Sequence, residues 1–424
     1  MTSGARDPLQ RHTLRTLVVS QTLGGVGLSG GIAVGSLLAE DILGSGDLAG
    51  LANTAQILGS ALLSVPAATL MAARGRRIGL ASGYLLATVG AVLVIASSVS
   101  RSFPLMLVGA VCFGAATTSN NQARYAAVDL STPQHRGRDL SLIVAVTTIG
   151  AVSGPNLLAP AAPLATGLGL NRLVGVWMVS VGVLALAAVW LAIRLRPDPL
   201  IVARERARAG ALDQPLGNPR RGLLRSWRVI TSTPAALVGT LIVALGHTVM
   251  VSIMIMTPLH MRHGGAELSL VGLVISIHVL GMYAFAPVMG QLVDRFGTRR
   301  VAVGGAFVLL VSCLFTAQAP QGWSAGLTVG LFLLGVGWSA TLVSGSTMLT
   351  AAVTIVERPG VQGTADLVMG LCAALGGGLS GIVVTRFGYP WLSLVGALTA
   401  TLLVAVVVLR KQDARPDSAA NVGR

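Results

Sequence analysis

The sequence predicts an all-α membrane protein: twelve transmembrane helices in two pseudo-symmetric six-helix bundles. Three observations carry this. Of 424 residues, 53% are apolar and 11% are charged, whereas soluble domains run nearer a quarter charged. A mean hydropathy of +0.77 over that length exceeds what one buried core can hold and implies many spans. Short arginine clusters punctuate the apolar runs and recur at a near-constant offset in the two halves.

Apolar windows of about 20 residues fall at 15–39, 48–71, 77–99, 103–127, 139–161, 171–195, 234–260, 267–291, 300–319, 322–347, 361–385 and 388–410. None alternates with the period of a strand, which excludes a β-barrel. Residues 1–15 are polar and basic, and the first apolar run is long enough to span and stay, so no cleaved signal is expected. The polar tail from Lys411 to Arg424 has a disordered composition.

A net charge of +15 suggests nucleic acid until the arginines are placed. Arg74, Arg76 and Arg77 follow span 2, Arg136 and Arg138 precede span 5, Arg295, Arg299 and Arg300 follow span 8, and Arg358 precedes span 11. The opposite loops carry only Arg101, Arg172, Arg262 and Arg386, and they hold Glu40, Asp41, Asp47 and Glu267. The bias is that of the positive-inside rule, which puts both termini in the cytoplasm of a multi-pass inner-membrane protein. Membrane lipid and a small ion or small molecule are the expected partners of a monomer; nucleic acid is not.

Between spans 6 and 7, Arg196 to Thr233 is rich in Arg, Pro and Gly and reads as a solvated basic linker near anionic headgroups, with a DNA- or lipid-specific role as the alternative. This divides the chain into an N-terminal bundle (1–198), a linker (199–233) and a C-terminal bundle (234–424). Cys112, Cys313 and Cys372 lie far apart within apolar runs, without a C-x-x-C motif, and read as helix packing. With no P-loop or catalytic triad, the chain reads as neither an ATPase nor another enzyme, and no resident cofactor is expected.

The halves repeat each other. The segment around Gly75 after span 2 matches that around Gly297 after span 8 at an offset of 222, and His135-Arg136-Gly137 resembles Val361-Gln362-Gly363 at an offset of 226. Parallel repeats with a central site are one plan for transporters. Gly290-x-x-x-Asp294-Arg295-x-Gly297-x-Arg299-Arg300 resembles the loop 8–9 signature of the major facilitator superfamily. In the first-half copy, Ala68 and Ala72 replace its Gly and Asp. Gly150-x-x-x-Gly154-Pro155 in span 5 resembles that superfamily's glycine-proline motif, though Leu158 stands where a further Gly is expected. The resemblance covers the whole chain and implies that the loop 8–9 residues latch the inner gate. Physically, Gly290 and Gly297 permit close approach and a tight turn, and Asp294 can cap a helix of the other half.

Asp366 is the one acid well inside a predicted span, about 9 Å from the inner face at 1.5 Å per residue. An intramembrane carboxylate marks function by default. It could carry a coupling proton, or act as a static partner of Arg295 or Arg358, the reading we favour. Asn120, Asn121, Gln122, Arg124 and Asp129 read as further inner-gate polar residues. Ser20, Gln21, Asn53, Thr54 and Gln56 are weaker candidates for a cavity lining.

Soft metal-binding side chains concentrate between His247 and Met289, which holds four of the six His and six of the twelve Met. Met250 and Met254 share one face of span 7, and His278 and Met282 share one face of span 8. By helical rise, Met250 lies about 24 Å from the inner face and His278 about 17 Å from the outer. His260, Met261 and His263 would form an outer entry. Each residue alone is explained by ordinary packing. Together, thioether and imidazole without carboxylate or thiolate suit Cu(I). The Met-x-x-x-Met and His-x-x-x-Met pair resembles that of the CcoA-like copper importers, which implies Met250, Met254, His278 and Met282 as copper-handling residues and copper as cargo. The sequence thus predicts a secondary transporter, with copper uptake as the first reading. The alternative is a proton-coupled carrier or exporter of a small organic or amphipathic solute, with the methionines as cavity lining.

Overall fold

A computed structural model describes residues 7–44, 50–210 and 222–409. The polar tail 411–424, Asp47, Arg220 and Arg221 lie outside the described residues. The helices in order are α1 (Pro8–Leu43), α2 (Gly50–Arg74), α3 (Arg76–Ser100), α4 (Phe103–Ala126), α5 (Arg136–Asn156), α6 (Leu158–Thr166), α7 (Val174–Arg194), α8 (Pro199–Gly210), α9 (Leu223–Ser232), α10 (Pro234–His263), α11 (Leu268–Tyr283), α12 (Ala286–Phe296), α13 (Thr298–Ala317), α14 (Ala325–Ala351), α15 (Arg358–Phe387) and α16 (Tyr389–Leu409). Among the described residues there is no strand.

Eleven stretches are long and apolar enough to cross a membrane, one of them formed by α11 and α12 together. The remaining span is α5 followed by α6, broken at Leu157. The sequence there carries Pro155, Pro160 and Pro163, and each proline removes a helical N–H and crowds the preceding turn. The break between α11 and α12 likewise precedes Pro287.

Local signals set the other ends. Asp7 caps α1 by accepting from the Leu9 N–H at 2.9 Å, and Ser102 and Ser324 cap α4 and α14. Gly75, Gly297 and Gly388, at φ of 90°, 85° and 90°, join α2 to α3, α12 to α13 and α15 to α16 without any intervening loop. Only glycine adopts that conformation without strain.

In the first half, Leu17, Leu80, Tyr84, Phe113 and Trp177 form a buried core. The second half buries Val249, Ile253, Leu309, Leu331 and Val343 in a cluster that also takes in Leu140 and Val144 of α5. The halves meet where α2 packs on α15 and where α5 packs on α11 and α12. Leucines such as Leu62, Leu375 and Leu398 remain exposed on the outside, as expected where lipid is the solvent.

The stretch expected to be a solvated linker is instead partly helical and partly docked. The Asp198 carboxylate accepts from the Arg77 N–H at 2.7 Å, Arg204 donates to the Ala72 carbonyl at 2.9 Å, and Arg206 pairs with Asp7 at 2.8 Å. Thus α8 is fastened to the first half, while α9 leads into α10 with only Thr233 between them.

Candidate functional site: a central cavity above a closed polar layer

A cavity of about 470 Å³ lies between the halves. The first half contributes Gln21, Ser29, Thr117, Asn120, Asn121, Arg124 and Thr147. This wall sets amide and hydroxyl groups among Leu28, Ile143, Val144 and Ala151, and its polar groups are held in place: Gln21 donates to Thr147 at 3.0 Å, and the Tyr84 hydroxyl donates to Asn120 Oδ1 at 2.5 Å. The second half contributes His247, Met250, Met254, Met282, Tyr283, Trp338 and Met369. This wall is thioether and aromatic. Tyr283 meets Trp338 edge-on at 5.5 Å.

The metal candidates divide. Met250, Met254 and Met282 line the cavity, but His278 is not among the lining residues. It is fully buried and its Nδ1 lies 2.7 Å from the Leu331 carbonyl of α14. A carbonyl only accepts, so Nδ1 carries the proton and Nε2 keeps its lone pair, buried without a partner. The cause is helix packing. A side chain on Gly335 would run into the α11 backbone at residues 278–282, and one on Gly281 would lie 2.6 Å from the Phe332 carbonyl. The missing side chains let α11 seat closely on α14, which turns the His278 edge of α11 toward α14.

The imidazole that does reach the cavity belongs to His247, which sequence analysis placed in the cluster but not among the ligands. Trp338 Nε1–H donates to His247 Nδ1 at 2.8 Å. Indole is a donor only, so the Nδ1 lone pair is used and the neutral ring holds its proton on Nε2. Such a ring offers a donor to a solute and no bare nitrogen to a metal. Among the described residues, no group of three or more His, Cys, Asp or Glu could hold a metal ion.

The expected outer entry also differs. His260 is buried, stacked on Tyr389 at 4.2 Å, with its Nε2 3.0 Å from the Pro320 carbonyl. Met261 is fully buried, and only His263 is exposed. At the end of α10, these residues fix it to the 317–322 turn and to α16.

A buried polar layer forms the cavity floor. Asp366 pairs with Arg124 at 2.6 Å and accepts from Gln122 at 2.8 Å. Its cation therefore comes from α4, not from Arg295 or Arg358. Beneath it, Arg76 bonds Asp129 at 2.8 Å, Gln122 at 3.1 Å and Gln362 at 2.6 Å, and Arg358 lies 4.0 Å from Asp129. Arg124 lines the cavity while its Nε–H, buried, has no partner.

At the second junction, Asp294 accepts from the Gly137 and Arg138 N–H groups at 2.7 and 3.0 Å, and Gly290 abuts Gly137. The first-turn N–H groups of α5 have no intrahelical partner, so the carboxylate serves as a cap from the other half. Arg299 caps the end of α16, donating to the Val407 and Val408 carbonyls at 3.1 and 2.6 Å. Arg295 and Arg300 are exposed, and Arg295 lies over the Phe296 ring at 5.2 Å. In the glycine-proline stretch, Gly150 packs on Gly25 of α1 and its carbonyl accepts from Ser29 at 2.5 Å. Gly154 and Pro155 are helical, and their surroundings lie outside the described residues. Of the weaker polar candidates, Gln21 reaches the cavity; Asn53 bonds Ser36 at 3.0 Å, and Ser20 and Thr54 bond their own helices.

The family model for the Major Facilitator Superfamily matches residues 16–269 and 250–424. The MFS-type transporter YdeG of Bacillus subtilis (strain 168) is 38% identical over 400 residues, covering 94% of this chain and 92% of that protein. The riboflavin transporter RfnT of Brucella anthropi is 26% identical, covering 95% of this chain and 96% of its own. The crystal structure of the human organic anion transporter MFSD10 superposes with a TM-score of 0.74 at 15% identity, over 95% of this chain and 100% of that one. With both halves matched by one family model and the twelve-span fold in place, the chain belongs to the Major Facilitator Superfamily: it is a multi-pass membrane transporter and not an enzyme.

Proposed function

We propose that the cargo is a small, flat, partly apolar organic solute with hydrogen-bonding edges, moved by alternating access across a bacterial inner membrane with both termini cytoplasmic. One observation carries this reading, the unlike walls of the cavity. Trp338 and Tyr283 offer ring faces, and Met250, Met254, Met282 and Met369 offer an adaptable apolar lining. Opposite stand Gln21, Asn120 and Thr147, with Arg124 at the floor. A pocket that is largely apolar with a few fixed polar groups is built for an organic ligand. The likeness to a riboflavin transporter along nearly the whole chain supports a flat heterocycle.

In this reading the conformation described is sealed on the arginine-rich side by the Arg124–Asp366 layer, and the solute enters from the opposite face. Asp366, already ion-paired, works as part of the latch. The test is counterflow of labelled riboflavin in proteoliposomes, alongside a panel of flat heterocycles. A solute that enters should lose about tenfold in affinity with Trp338→Ala, the cost of about 1.4 kcal/mol of stacking. If no heterocycle is carried, the reading fails. Comparing solute content in cells with and without the gene gives the direction of transport, import or export.

Copper uptake is the second reading, favoured by the three methionines Met250, Met254 and Met282 on one wall. It is weakened by the seating of His278 against α14 and by the occupied Nδ1 of His247. Restoring the gene to a deletion strain should raise cellular copper if this reading holds, and Met250→Ala should abolish the rise.

A further inference from the structure

The short helix α9 has three unlike faces. Ile230 is buried, and Ser226 and Val229 are half-buried, against α10 and α15; Ser226 abuts Gly360. Beside that face, Leu223, Trp227 and Leu224 are exposed, Leu224 at 80% and Trp227 at 44%. At 3.6 residues per turn, exposed Thr231 falls between Trp227 and Leu224, and the remaining arc carries Arg225, Arg228 and Ser232, all exposed. Thr233 alone separates α9 from the membrane-spanning α10, so α9 is held at the depth where that span begins. α15, on which α9 packs, exposes Leu371, Leu375 and Leu379 further along its length. A helix with a largely apolar arc that holds a tryptophan, and a basic arc beside it, is built to lie in the plane of a membrane surface.

We infer that α9 is an in-plane surface helix that binds anionic phospholipid, and that this binding favours closure of α15 on α2. Leu223, Leu224 and Trp227 insert among the upper acyl carbons, while Arg225 and Arg228 meet the phosphates. The charge match selects anionic over zwitterionic headgroups. The consequence for transport follows from what α9 touches. It packs on the first turns of α15, which carry Arg358, Gln362 and Asp366 of the buried layer. Holding α9 at the surface holds that end of α15 in its closed position.

The full chain in nanodiscs provides the test, with brominated phosphatidylglycerol or brominated phosphatidylcholine as quencher. The Trp227 signal is taken as the difference between the wild type and Trp227→Phe. Brominated phosphatidylglycerol should quench it at least twofold more than phosphatidylcholine, and Arg225→Gln with Arg228→Gln should abolish that preference. Equal quenching by the two lipids in the wild type, a comparison that needs no charge variant, overturns the anionic selectivity. Absence of quenching by either lipid overturns the docking. Hydrogen exchange across residues 358–366 should slow severalfold when phosphatidylglycerol replaces phosphatidylcholine. Unchanged exchange overturns the link to the gate.

Discussion

Where α5 meets α12, Gly290 lies against Gly137, and Asp294 of the second half caps the first turn of α5. Where α2 meets α15, the repeat puts Ala68 against Gly363, and the position equivalent to Asp294 is Ala72. The helix starts explain why the acid was kept once. Gly137 is the second residue of α5, so its N–H is free; Gly363 is the sixth residue of α15, and its N–H is spent inside the helix. A carboxylate at position 72 would find no free backbone N–H at the equivalent place on α15. That junction is closed by side chains instead, through Arg76 with Asp129 and Gln362, and Arg124 with Asp366. One contact is thus a partly exposed cap, and the other a buried ionic layer. Opening the first returns a carboxylate to water, whereas opening the second must leave no charge stranded.

The largest effect should therefore come from breaking the buried layer. Asp366→Ala leaves the Arg124 guanidinium unpaired and should cost about 3–5 kcal/mol, seen as a lower thermal midpoint in detergent. The double replacement Arg124→Met with Asp366→Leu removes both charges and should recover most of that loss. If the double variant is no better than the single, the ionic account of this junction is wrong.

A smaller effect is expected at Gly290. A methyl group there would lie 2.5 Å from the Gly137 carbonyl oxygen, so Gly290→Ala should cost about 1–3 kcal/mol by overpacking. It should also let α5 and α12 part, raising the labelling of a cysteine at Asn121 from the arginine-rich side. Asp294→Ala removes one interhalf cap and should cost about 1–2 kcal/mol, with the same labelling change in weaker form. Ala72→Asp should do least, within about 0.5 kcal/mol either way. Clear stabilisation by that change, kept in an Arg204→Gln background so that the neighbouring guanidinium is not its source, would show that α15 does offer a free donor to the first-half loop.

Much of this architecture was legible beforehand. Apolar runs of membrane length announce themselves, and glycine before a basic pair marks Gly75 and Gly297 as turns because few other residues tolerate positive φ. Arg124 and Gln122 stood out as polar residues inside a span, where such groups must find partners. The pairing of Arg124 with Asp366 was not visible, because two residues 242 apart in sequence carry no local mark of each other. Nor was the helical form of the linker, where Asp198, Arg204 and Arg206 find partners on the first half.

The methionine and histidine cluster separates the two kinds of information most clearly. Spacing in the sequence determined that His278 and Met282 share a helix face, and that Met250 and Met254 do too, because 3.6 residues make a turn whatever surrounds it. It also determined the spans and the repeat of the two halves. Only the tertiary structure decided how each helix is rotated about its own axis. The close seating of α11 on α14 through Gly281 and Gly335 put His278 against a backbone carbonyl, and left His247, held by Trp338, as the imidazole at the cavity. Rotation depends on which neighbour lets a helix come nearest, and that neighbour is distant in the chain.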